Sequence, residues 1–346
     1  MIKFSEIPGI NEEVRAEAAK RQNLLTKPTG SMGRMEELSI DIAGMTGIVA
    51  PELKKRAVFL MAADHGIAQE GVSPYPAEVT PQMVMNFLNH GAAINVLTKQ
   101  AHSEVVIVDI GVNYDFPELP GLVRRKVAKG TANMLHAPAM TPAQAEEAIQ
   151  TGMDVLNEAA DNGLQMAATG EMGIGNTTSA AAITAVLCGK KPAEVTGRGT
   201  GLDDEGLKRK IAVIEQVLSA RKPDPADPMD VLCKIGGLEI AGMAGVTIAA
   251  ASRRIPLVMD GLISTAAAAL ADALVPGVRN YLIAGHRSPE IGHKVLLDKL
   301  GKYPLLQLDM RVGEGTGAAL SFHIIDAANN ILRDMATFES AGVSNR

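Results

Sequence analysis

Short apolar runs rich in β-branched residues recur along this chain at 56–62, 104–109, 164–168, 255–259, 281–284 and 305–310, and almost every one leads directly into a turn of glycine and polar residues. Segments with helical character separate them, at 11–24, 34–46, 80–100, 142–160, 177–188, 204–220, 236–253, 264–274, 290–300 and 316–336. Strand, turn and helix repeated in that order predict an α/β fold around a parallel sheet, because parallel neighbours need a crossover long enough to hold a helix. The prolines at 223, 225 and 228 mark a surface loop. No internal repeat, heptad seam or low-complexity tract interrupts the alternation.

Hydrophobic residues fill 47% of the 346 positions but aromatics only 3%, with no Trp and 34 Gly. The core must therefore be built from Ala, Val, Ile, Leu and Met in closely packed elements, which suits helices lying on a buried parallel sheet. A chain of this length can form one large α/β unit, or such a unit beside a smaller one. Residues 1–48 and 322–346 offer helices and no convincing strand, so the expected division is a small helical lobe made of both termini and an α/β catalytic domain over 49–321.

The formal net charge of -6 leaves no broad basic field; Lys54-Lys55-Arg56 and Arg124-Arg125-Lys126 read as solvated faces, and nucleic acid is not an expected partner. The N-terminal sequence MIKFSEIPGINEEVR holds no apolar core of signal-peptide length. The most apolar stretch, 240–251, is shorter than the ~18 residues that suggest a membrane span, so a cytoplasmic protein with no membrane partner is expected. Cys188 and Cys233 lie in apolar helical sequence and are expected as buried, reduced thiols without a chemical role.

The turns carry the chemistry. They are Asp64-His65-Gly66, Asp109-Ile110-Gly111, the run GEMGIGNTT at 170–178, Asp260-Gly261, Gly285-His286-Arg287-Ser288, and GEGTG at 313–317. In an open parallel sheet the carboxyl ends of the strands share one edge, where ligands bind, so the repetition predicts one composite site. Within GEMGIGNTTS, Gly173 and Gly175 would let backbone N–H groups approach an anion, while Asn176, Thr177 and Thr178 cap the following helix. The same residues would also serve a capped turn with no ligand. The run is neither a Walker loop nor GxGxxG, so ATP and dinucleotides lose their usual support.

A second glycine loop, Gly197, Gly199 and Gly201, precedes a helix bearing Lys208, Arg209 and Lys210; a lysine here either meets a phosphate or belongs to a solvated basic face. Asp203-Asp204 follows a glycine loop rather than ending an apolar strand, and reads as a helix N-cap. Glu314 stands between two glycines at the end of the last expected strand. There a carboxylate reaches the site edge yet is partly desolvated, which raises its pKa and suits it to general-base work; the alternative is an ordinary solvated turn. Asp64-His65 and the group His286, Glu290 and His293 are weaker signals. The latter lacks HExxH spacing and reads as a helix-surface cluster rather than a metal site.

The segments KPTGSMGRME (27–36), AADHGIAQEGVS (62–73), GEMGIGNTTS (170–179), GRGTGLDDEG (197–206), MDG (259–261), AGHRSPE (284–290) and RVGEGTGAA (311–319) together resemble the nicotinate-nucleotide:dimethylbenzimidazole phosphoribosyltransferase family in residues and in order. The resemblance spans nearly the whole chain. It implies a Rossmann-like parallel sheet with a small lobe from both termini, a homodimer with the site near the interface, and no metal or redox cofactor. It implies transfer of 5-phosphoribose from nicotinate mononucleotide to 5,6-dimethylbenzimidazole or a related base with inversion, giving α-ribazole 5′-phosphate for the lower ligand of cobalamin. Glu314 then corresponds to the catalytic base. Glu171, Gly173, Gly175, Asn176, Thr177, Asp260 and Gly313 fall to the donor site, with Lys210 and Ser288 on its phosphate. Around the base, Tyr75 and Met83 stand where some relatives carry Ser and Gln, and either line an apolar pocket or pack the core. Two rival readings of the same residues are a metal-independent nucleotide or sugar-phosphate hydrolase, with Asp64 or Glu314 activating water, and a non-catalytic nucleotide sensor.

Overall fold

The strand β1 (Arg56–Ala63) is buried at every position, as a parallel strand covered on both faces must be. In the computed structural model, which describes residues 2–344, it sits near the centre of a six-stranded sheet. Met1, Asn345 and Arg346, the extremes of the terminal segments, lie outside the described residues. The other strands are β2 (Glu104–Gly111), β3 (Leu122–Arg124), β4 (Met166–Met172), β5 (Leu257–Met259) and β6 (Leu282–Ala284). They run in the order β3-β2-β1-β4-β5-β6, every neighbouring pair parallel. From β1 the chain builds outward first on one side and then, through β4, on the other, so a crevice opens at their carboxyl ends.

Thirteen α-helices accompany the sheet among the described residues. They are α1 (Glu12–Leu24), α2 (Arg34–Thr46), α3 (Val79–Leu88), α4 (Ala93–Gln100), α5 (Pro142–Asp161), α6 (Asn176–Cys188) and α7 (Pro192–Val195). After these come α8 (Asp204–Arg221), α9 (Pro228–Ile235), α10 (Leu238–Ser252), α11 (Leu262–Leu274), α12 (Ile291–Leu300) and α13 (Thr316–Asp334). The scarcity of aromatics has a visible use between α5 and α10, where the backbones touch. A Cβ at Gly152 would overlap the Gly242 carbonyl, and one at Gly245 the Ile149 carbonyl. At the ends of the chain, Ala18, Ala43 and Leu332 form a small apolar cluster joining α1, α2 and α13. The Arg21 guanidinium donates to the Leu332 and Arg333 carbonyls at 2.6 and 2.8 Å, tying the termini together. The helix α13 is continuous from Thr316 to Asp334, so it also carries Ala318, Ala319 and Phe322 into the core beneath the sheet.

Several expectations are corrected. The segment 305–310 is not a strand: Leu306 makes a single parallel bridge to His286, Leu308 is exposed, and Asp309 turns into the left-handed region at φ 54°. The expected helix over 80–100 is broken, because His90 takes φ 58° and a Cβ at Gly91 would overlap the Asn86 amide oxygen. The short edge strand β3 is hidden in the sequence because only Leu122 and Val123 precede the basic run that begins at its last residue, Arg124. Pro228 opens α9 rather than extending a loop, with the Asp227 carboxylate accepting from the Met229 and Asp230 N–H groups at 3.0 and 3.1 Å. Cys233 is buried, while Cys188 is only partly so.

Candidate active site

The crevice at the sheet edge is a cleft walled by the ends of β4, β5 and β6, by the first turns of α6 and α11, and by the segment that leads into α13. Its floor is set by contact between backbones. A Cβ at Gly170 would overlap the Glu314 carbonyl, so the loop before α13 lies directly on β4. Gly313 has φ 82°, open to glycine at little cost, and its Cα faces the Glu171 carboxylate closely enough that a Cβ would overlap it. Glu314 itself is held at φ 64°, a conformation that costs a non-glycine residue about 1–3 kcal/mol and persists where the surroundings enforce it.

Two devices enforce it. From the end of β5, the Asp260 carboxylate accepts from the N–H groups of Gly315, Gly317 and Ala318 at 3.2, 2.7 and 3.1 Å, capping α13 from outside its own sequence. From the break between α3 and α4, the Ile94 N–H donates to Glu314 Oε2 at 3.1 Å. The Glu314 carboxyl is thus anchored at the positive end of α4, with only 8% of the residue exposed. Burial raises its pKa above the ordinary glutamate value, the Ile94 N–H opposes that, and the Asp260 charge adds to it. A desolvated, oriented carboxyl of this kind is equipped to accept a proton.

Beside it, Glu171 is buried and hydrogen-bonded by the Asn176 amide. Burial pushes its carboxyl up to about 8, with Glu239 and Asp260 reinforcing the shift. At neutral pH Glu171 is therefore mostly protonated and able to donate as well as accept a hydrogen bond.

The opposite end of the cleft favours an anion. Gly175, at φ 97°, occupies the N-cap of α6 without a side chain; the Asn176 and Thr178 N–H groups donate to the Gly173 and Gly175 carbonyls at 3.1 and 3.0 Å, and the positive end of the helix borders the cleft at Asn176 and Thr177. Lys210 is buried behind Thr177 and donates from Nζ to its Oγ1 at 2.7 Å. Burial lowers the pKa of this ammonium to about 8, opposed by the Glu290 carboxylate. Glu290 Oε1 accepts from the Gly199 N–H at 2.9 Å, which ties the second glycine loop to the start of α12. Asp203 caps α8 through the Gly206 N–H at 2.8 Å, as its position in the sequence suggests.

Of the residues singled out in the sequence, Glu171, Gly173, Asn176, Thr177, Asp260, Ser288, Gly313 and Glu314 line the one cleft. Gly175 and Lys210 stand immediately behind it. Tyr75 and Met83 do not line it: Tyr75 is half exposed in the loop ahead of α3, and Met83 packs from α3 against the core. The turn after β6 contributes His286 as well as Ser288, and Arg311 reaches the cleft from the segment before Gly313. Met172 and Ile174 supply its apolar wall; they sit inside the glycine-rich run, where the small and polar neighbours draw attention first. Asp64 is placed beyond β1, its Oδ2 accepting from the Asn113 N–H at 2.7 Å, and is not among the lining residues. Among the described residues no group of three or more His, Cys, Asp and Glu side chains converges as metal ligands do, and no helix is long and apolar enough to cross a membrane.

The phosphoribosyltransferase family model matches residues 7–343. A nicotinate-nucleotide–dimethylbenzimidazole phosphoribosyltransferase of Chloroflexus aggregans is 55% identical over 343 residues, covering 99% of this chain and 97% of that protein. The Geobacter sulfurreducens enzyme of the same name is 52% identical over 341 residues, at 99% and 97% coverage. The crystal structure of CobT from Thermus thermophilus superposes with a TM-score of 0.93 at 47% identity, covering 96% of this chain and 100% of that one. With the site geometry and this likeness running end to end, the chain belongs to the nicotinate-nucleotide–dimethylbenzimidazole phosphoribosyltransferase family.

Proposed function

We propose that the protein transfers the 5-phosphoribosyl group of nicotinate mononucleotide to 5,6-dimethylbenzimidazole or a related base, with inversion, giving α-ribazole 5′-phosphate and nicotinate for cobalamin assembly. The observation that carries this reading is the desolvated Glu314 carboxyl facing, across one cleft, the α6 N-terminus backed by Lys210. In the donor the pyridine nitrogen bonded to C1′ is already cationic, so its bond to C1′ breaks with the electron pair returning to nicotinate, and no protein acid is needed. The incoming base attacks C1′ from the opposite face through one ring nitrogen. Its other nitrogen loses a proton, for which Glu314 is the acceptor.

The phosphate is assigned to the α6 N-terminus, Thr177, Lys210 and Ser288, and the ribose to the region of Glu171, Asp260 and Gly313. The base is assigned to the side of Met172, Ile174 and Glu314, with Tyr75 and Met83 at its outer approach. Holding both reactants in line accounts for much of the rate such a site can supply. We further assign residues 1–48 and 322–346 to a helical unit beside the catalytic unit 49–321, on the contacts among α1, α2 and α13. We also infer a cytoplasmic homodimer; for the dimer, the support is the exposed apolar side chains of Val312, which lines the cleft, and of Ile291, which follows the lining residue Glu290.

Chromatography of products formed from nicotinate mononucleotide with and without dimethylbenzimidazole tests the reading. An α-riboside 5′-phosphate that forms only with the base supports it. Ribose 5-phosphate formed without the base would establish a hydrolase instead, and binding with no product a sensor.

A further inference from the structure

His293 stands out in the sequence as part of a cluster with His286 and Glu290, and the reaction above gives it no role. It is wholly buried, its ring at the start of α12 lying between the Ser288 turn and α11. Its Nδ1 is 3.0 Å from the Ser288 backbone nitrogen and 3.0 Å from Ser288 Oγ, and its Nε2 is 3.0 Å from Thr265 Oγ1. A backbone N–H can only donate, so Nδ1 must be the unprotonated nitrogen, and the ring proton sits on Nε2, donated to Thr265. Burial holds the imidazole pKa down at about 3; His286 and Arg287 push the same way and Asp260 opposes. The ring is therefore neutral and its tautomer is fixed.

Nδ1 has one lone pair in the ring plane and two donors directed at it. Of the two, only the Ser288 hydroxyl can rotate. An acceptor arriving in the cleft can take that hydroxyl while the Ser288 N–H continues to satisfy Nδ1, so no buried polar group is orphaned by the exchange.

We propose that His293, held by Thr265, is the positioning residue of the Ser288 turn, and that it keeps the Ser288 hydroxyl as a donor ready to be handed to the phosphate of the incoming nucleotide. This rests on the reading of the cleft as a nucleotide-phosphate site, and the tests separate the two. With the full-length protein, Thr265→Val removes the acceptor for Nε2–H. It should raise the Kd for nicotinate mononucleotide about tenfold, the scale of one hydrogen bond to a charged group, and move that for nicotinate riboside less than about twofold. Thr265→Ser should restore tight binding. Calorimetry showing equal losses for both ligands, or none, would overturn the proposal, since a merely structural role does not discriminate by phosphate.

An independent measurement needs no ligand. Long-range proton–nitrogen spectra of the wild-type protein should show His293 as the neutral, Nε2-protonated tautomer throughout pH 5–8. An Nδ1-protonated ring, or one titrating near its ordinary value, would overturn the relay. Wild-type protein that binds neither ligand would instead remove the phosphate reading, with the spectra still deciding the tautomer.

Discussion

Glu314 is a residue whose backbone and side chain are constrained by different parts of the chain. Its left-handed φ is stabilised by Asp260 holding the next turn, and its carboxyl by the Ile94 N–H. The amide in Glu314→Gln keeps an acceptor for Ile94 but cannot take a proton. Binding of nicotinate mononucleotide should stay within about twofold of wild type, while turnover falls about 10²–10⁴-fold, the usual contribution of a general base. Steady-state kinetics with both substrates decide it; near-normal turnover would remove Glu314 from the mechanism. The pH dependence has a definite sign. Because burial raises the Glu314 pKa, the carboxylate form is lost at higher pH than for an exposed glutamate, so turnover should drop on acidification from above that raised value. The glycines on both sides make Glu314 conspicuous in the sequence. Its partners are not, because Ile94 acts through a backbone amide exposed by a helix break, and nothing in an apolar residue type announces that.

The helix α13 has no side-chain cap of its own, since Gly315 occupies the N-cap position. The cap comes from Asp260, distant in sequence and brought close only by the pairing of β5 in the sheet. Removing that carboxylate in Asp260→Ala leaves three N–H groups without their acceptor, and should lower stability by about 2–3 kcal/mol. Activity should fall further than that loss explains, because the same loop holds Glu314. Denaturant midpoints compared with kcat/KM on the folded fraction would show it, and a fall no greater than the unfolded fraction would contradict this role. The elements themselves are largely legible. Periodicity marks α1, α2, α5 and α8 to within a residue at each end. It fails at 305–310, where Leu306, Leu308 and Met310 alternate as in a strand, but the pairing beside β6 stops after the single bridge at Leu306. It fails again at 89–92, where a left-handed histidine, a conformation that composition does not encode, divides one amphipathic pattern into two helices.

The parallel sheet gathers turns from across the chain to one edge, and its consequence for the cleft is a crowd of carboxyl groups: Glu171, Asp260, Glu290 and Glu314 all line it. That crowding is foreseeable from the repeated strand-end turns, but its effect on ionisation depends on burial, which only packing decides. The effect should be measurable in the stability of the folded chain. Glu171 has its pKa raised from 4.5 to about 8, so between those values the native state keeps a proton that the unfolded chain has given up. Stability then falls as pH rises through this window, because the unfolded state binds fewer protons than the native one. His293 works in the opposite sense but elsewhere. Its pKa is lowered from 6.5 to about 3, so its contribution is lost as pH falls through that lower range and is complete above 6.5. Lys210, lowered from 10.5 to about 8, contributes above the window by the same reasoning. The interval from about 6.5 to 8 therefore isolates the buried carboxyls. Urea unfolding should give a stability that declines across it in the wild-type protein, and Glu171→Gln, which has no proton to lose, should flatten most of the decline. A variant whose stability falls as steeply as the wild type would mean that Glu171 is already ionised in the cleft, and that it meets the donor as an acceptor only.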